Sequence, residues 1–129
     1  MNARVALQAA LLARVRTVEG LGAFDAPPVR GGVPYGVVEE PVLTASDAAG
    51  LDGRVGTIAV TYRDDGERPV RLRRLIGEVE DAIAAMPRVV EGGWYVVGLR
   101  LARSRLSLGR NIGWVGTSEF AVRMFRLQS

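Results

Sequence analysis

Two long extended stretches near the C-terminal end constrain the fold most. Residues 94 to about 105 and residues 114–127 each read as a strand, and the glycine-flanked segment 109–113 between them reads as a turn. On the first strand Tyr95, Val97, Leu99 and Leu101 share one face; on the second, Phe120, Val122 and Met124 do. Past Ala102 the phase of the first strand changes, because Arg103 and Arg105 take the parity that was apolar. A bulge or a strand end near Ala102 is the simplest cause. A hairpin of this kind has an apolar face that must be covered, and the rest of the chain has to supply the cover.

Two helices are available for it. Residues 3–18 are rich in alanine and place Leu7, Leu11, Val15 and Val18 near helical spacing, with Leu12 widening the stripe, until Gly20 and Gly22 end it. Residues 69–86 carry Leu72, Leu75, Ile76, Val79, Ile83 and Met86 as one apolar stripe. Pro69 suits a first helical turn and Pro87 stops the helix. Residues 54–62 read as a third strand with Ile58, Val60 and Tyr62 on its more apolar face, followed by a turn at Asp64-Asp65-Gly66. Residues 33–43 are a strand candidate bracketed by Pro34 and Pro41, which predicts an edge strand or an early end. Residues 44–53 read as an exposed polar loop. The expected fold is α+β: an antiparallel sheet of about four strands with two amphipathic helices packed on one face. The length of 129 residues suits a single domain spanning residues 1–129.

The composition narrows the chemistry sharply. There is no cysteine and no histidine, so disulfides, thiolate nucleophiles and Ser-His triads are excluded, and the commonest metal ligand is missing. The acidic pairs Glu39-Glu40, Asp64-Asp65 and Glu80-Asp81 are adjacent residues, which point to different faces and do not converge as an acid and a base. Residues 109–116 are glycine-rich, but they lack the lysine and hydroxyl ending of a phosphate loop and precede a strand rather than a helix. No catalytic, cofactor-binding or metal-binding residue is expected. No run of about 18 apolar residues is present, so no membrane-spanning helix is expected. Arg4, Arg14 and Arg16 interrupt the apolar pattern of the first 18 residues, which speaks against a signal peptide.

All 17 basic residues are arginine, against 14 acidic ones, for a formal charge of +3. Their distribution matters more than the sum. Between Gly92 and Ser118 there is no acidic residue, yet Arg100, Arg103, Arg105 and Arg110 all fall there. A charged strand edge that resists aggregation is one reading; a surface facing DNA or an acidic partner is the other. Trp94 and Trp114 sit at the two strand entrances, either as core aromatics or as subunit-interface residues. Arg68, Arg71, Arg73 and Arg74 crowd the start of the second helix, against its dipole, and call for acidic partners nearby or on a neighbouring subunit.

The order of these pieces resembles the tail completion, or tail terminator, proteins of long-tailed phages and of the related gene transfer agents of alphaproteobacteria. The residues that carry the likeness are Ala-Leu-Gln-Ala-Ala-Leu at 6–11, then Ala23-Phe24-Asp25-Ala26-Pro27-Pro28, then Val33-Pro34-Tyr35-Gly36-Val37-Val38. A polar loop, a strand, an acidic turn and a helix with Leu75, Ile76, Val79, Ala82 and Ile83 follow, before the Arg-rich strand and the closing strand. Gly36 departs from the family, which more often has a β-former there, and residues 120–127 are unusually apolar for it. The resemblance spans nearly the whole chain. It implies a non-enzymatic subunit, without cofactor, that assembles with itself as a hexameric ring on the end of a tail tube. Its implied partners are the tail tube protein, the head-side connector and DNA passing through without sequence specificity, in a virion put together in the bacterial cytoplasm. Another head–tail connector or neck subunit, or a small nucleic-acid-binding module, are the alternatives.

Overall fold

The computed structural model describes residues 1–128. In chain order the elements are α1 (Ala3–Val15), β1 (Gly22–Phe24), β2 (Tyr35–Val38), β3 (Val42–Ala45), β4 (Leu51–Asp64), α2 (Val70–Ala84), β5 (Val89–Val90), β6 (Trp94–Gly109) and β7 (Gly113–Leu127). One seven-stranded sheet holds all the strands in the order β1-β2-β4-β7-β6-β5, with β3 also on β4, and it curls into a half-barrel.

This corrects the expected four-stranded antiparallel sheet. The class remains α+β, but the sheet is larger and mixed, because β1 runs parallel to β2. The 33–43 segment forms two strands along the same side of β4. Val38 lies opposite Val60 and Val42 opposite Thr57, so residues 39–41 face only residues 58–59. Pro41 falls in this break, where its missing N–H costs no ladder bond. The polar stretch expected as a loop over residues 44–53 is instead mostly hairpin: β3 ends at Ala45, β4 begins at Leu51, and Ser46 N–H bonds Gly53 O at 2.9 Å.

Both helices lie against one face of the sheet. The alternate residues Ile58, Val60 and Tyr62 of β4 and Phe120, Val122 and Met124 of β7 are buried there with Leu7, Leu11 and Val15 of α1 and Leu72, Leu75, Ile76, Val79 and Ile83 of α2. Asn2 caps α1, its side-chain oxygen accepting from Val5 N–H at 2.8 Å. Asp64, only 3% exposed, ties the end of β4 to α2. It accepts from Asp65 N–H at 2.8 Å and from Arg71 Nε at 3.0 Å. Burial pushes the Asp64 carboxyl up, but those hydrogen bonds and the Arg71 charge outweigh it and hold the group below its ordinary value. Arg74 bonds Glu78 one turn on, at 3.3 Å. Arg71 and Arg74, at the start of α2, thus find acidic partners within the chain.

Candidate functional site

β6 loses most of its cover part-way along, while β7 beside it stays buried against α2 at Gly116 and Ser118. At the start of β6, Trp94 and Val96 are buried among core residues. From Arg100 to Arg105 every residue of β6 is exposed. The outer edge changes at the same place. β5 pairs only with Trp94 and Tyr95, and Val96 N–H bonds Arg88 O at 2.7 Å. Beyond Val96, among the described residues, no strand pairs with the outer edge of β6.

Two register shifts interrupt β6, between Val96 and Gly98 and between Leu101 and Arg103. The second is the bulge read at Ala102, and it has a geometric effect. Arg100 has even parity, whereas Arg103 and Arg105 have odd parity, so a regular strand would send them to opposite faces. With Ala102 bulged out of register, Arg100 lies opposite Ala121, Arg103 opposite Glu119 and Arg105 opposite Thr117. These β7 positions alternate with buried Ser118, Phe120 and Val122, so all three arginines occupy the helix-free face. Arg123, opposite Gly98, joins them there. Of this group only Arg103 has an acidic partner, Glu119 at 3.3 Å. Arg100, Arg105 and Arg123, and Arg110 in the turn, form no ion pair among the described residues. The four sequence candidates therefore lie along one exposed strand and its turn. Arg123 is not among those candidates, although its parity on β7, opposite to Val122 and Met124, marks the same face.

The two tryptophans part company. Trp94 is 1% exposed and sits inside the chain. Its Nε1 donates to Met1 O at 3.3 Å, and the guanidinium of Arg126 lies 4.4 Å from its ring centroid. Arg126 also donates to Met1 O, at 2.9 Å, so Trp94 helps pin the N-terminus to the sheet. Trp114 is half-buried, donates to Gly66 O at 3.2 Å, and lines a groove of about 480 Å³ between α2 and β6 with Ile76, Gly77, Glu80 and Leu106. Beneath that groove Ser118 donates to Glu80 at 2.6 Å and hydrogen-bonds the Tyr62 hydroxyl at 2.8 Å. Burial pushes the Tyr62 hydroxyl well above its ordinary value, so it stays protonated. The relay anchors α2 to the sheet. Among the described residues no three acidic side chains gather as a metal-ligand group, and no helix is long and apolar enough to cross a membrane.

No protein-family model and no curated protein matches the chain. A solved structure does: a chain from the virion of a native gene transfer agent particle. It matches with a TM-score of 0.74 and 19% identity, over 99% of this chain and 100% of that one. At that identity the likeness is one of fold, and it runs end to end.

Proposed function

We propose that the chain is a structural subunit of a phage-like or gene transfer agent particle: a tail terminator that forms a ring, caps the tail tube and joins it to the head-side connector. The end-to-end fold likeness to a chain of a gene transfer agent virion carries this reading. The ordered motif resemblance described above agrees with it. The long outer edge of β6, unpaired among the described residues, gives such a subunit a surface to assemble with. The arginines on its helix-free face supply a sequence-independent attraction for phosphate, which suits DNA passing through a ring. The subunit would act in the virion, after assembly in the bacterial cytoplasm, without catalysis or cofactor.

Light scattering and negative-stain microscopy of the purified protein, alone and mixed with a tail tube protein from the same genome, test the proposal. Rings, free or seated on tube ends, are expected. A protein that stays monomeric and never binds the tube overturns it.

A further inference from the structure

We infer that the subunits of this ring join by β-sheet extension, the bare β6 edge of one copy pairing antiparallel with the β3 edge of the next. The inference rests on the ring reading above and goes beyond it by naming the two surfaces. Among the described residues β6 has an unpaired outer edge beyond Val96, and its last segment, from Arg103 to Gly109, pairs with β7 in unbroken register. β3 pairs with β4 on one side and with nothing on the other among the described residues. Each therefore has a row of backbone donors and acceptors that only water or another strand can satisfy.

Charge selects between the possible pairings. The β6 edge carries Arg100, Arg103 and Arg105 and ends at Arg110, so two β6 edges repel each other. The β3 strand is itself uncharged, and the carboxylates that flank it are engaged within the chain: Glu39 accepts from Thr61, Glu40 pairs with Arg4 and Asp47 pairs with Arg54. An uncharged edge takes a basic one without that repulsion, and the pairing is heterologous, the kind that closes into rings. Direction fits as well. β3 is antiparallel to β4, β4 to β7, and β7 to β6, so β3 and β6 run oppositely within one chain. A rotation axis running along the strands keeps those directions, which makes the contact between copies antiparallel. The bulges at Val97 and Ala102 break the rest of β6 into short pieces and so limit indiscriminate pairing elsewhere on the edge.

The chain has no cysteine, so single thiols can be placed at will. Thr44 and Ser107 are exposed and lie on the same helix-free face, opposite Val55 and Val115 respectively. The test is crosslinking by a short bismaleimide of Thr44→Cys, Ser107→Cys and the double variant, in ring-forming conditions set by light scattering. The double variant is expected to give a covalent ladder ending at the ring size. The mixed single variants are expected to give a dimer, and neither single variant alone should crosslink. Rings without these crosslinks would overturn the inference while leaving the ring reading intact. So would dimers of Ser107→Cys alone, or its capture of the tail tube protein instead of a second copy. A protein monomeric in every condition would overturn both.

Discussion

The two ends of β6 are made of similar residues and do opposite work. At the start, Trp94 and Val96 are sealed beneath the helices and bonded to the N-terminus and to β5. Farther along, Leu101 is 44% and Leu108 66% exposed on the same apolar-versus-charged alternation. The difference is not hydrophobicity but cover: the helices, β5 and the N-terminus close over the first part of β6, whereas farther along only α2 approaches the strand, at Leu106. A strand that continues past its own core spends residues on something other than the stability of the monomer. The first end should therefore govern whether the chain folds, and the second what the folded chain joins.

The largest expected effect comes from the covered side. Leu75 is fully buried on α2, and Leu75→Ala should cost about 2–5 kcal/mol in urea unfolding. Leu108→Ala, a change of the same chemistry on the bare side, should stay within about 0.5 kcal/mol. Equal costs would erase the contrast between the two ends. Next in size is Gly56→Ala. A β-carbon on Gly56 would overlap the Val42 carbonyl oxygen, so β3 must shift off β4. The expected loss is about 1–3 kcal/mol, with faster hydrogen exchange confined to residues 42–45. Slow exchange there in the variant would mean that β3 is held by something other than β4.

These same places show why some of the fold is legible in the sequence and some is not. α2 is readable because its stripe has strict helical period and prolines at both ends. The central parts of β4 and β7 are readable because one face is wholly apolar. The Ala102 bulge is readable because it flips a parity. β1 and β5, of 3 and 2 residues, are too short for any alternation to register. The β3–β4 hairpin looks like a loop in the sequence for a different reason. It packs backbone on backbone at Gly53 and Gly56, so its residues are small and polar and mimic a loop. Among the candidate residues, the arginines of β6 stand out from charge alone. Their common face depends on the bulge, and the bareness of their edge depends on β5 pairing with only Trp94 and Tyr95. The burial of Trp94 likewise rests on Met1 and Arg126, partners far from it in the chain.

A smaller effect is expected where the covered side is fastened. Asp64→Asn removes the charge that Arg71 faces, and because Arg71 is itself half exposed nothing is left stranded; the expected cost is about 1–2 kcal/mol. The pH dependence has a definite sign. The folded carboxyl lies below its unfolded value of about 3.9. Its contribution is therefore complete above that value and is lost as pH falls through the lower folded one. The wild-type and Asp64→Asn stabilities should converge on acidification below about pH 4 and remain parallel above about pH 5. Parallel curves throughout would show that Asp64 carries no such linkage.

The smallest effect on folding should come from the bare side, where the functional effect should be plain. Arg100 and Arg105 are exposed and without ion pairs among the described residues, so Arg100→Ser with Arg105→Ser should move the unfolding free energy by no more than about 0.5 kcal/mol. If their helix-free face meets DNA, the double variant should bind double-stranded DNA more weakly at low salt, whatever its sequence. The slope of log affinity against log salt should become shallower by about 0.9 for each phosphate that the variant no longer neutralises. Unchanged stability with an unchanged slope would remove DNA from the functions of this face and leave the arginines to the interface between subunits. A fall in stability comparable to that of Leu75→Ala would undo the division itself, because the exposed end of β6 would then be part of what holds the monomer together.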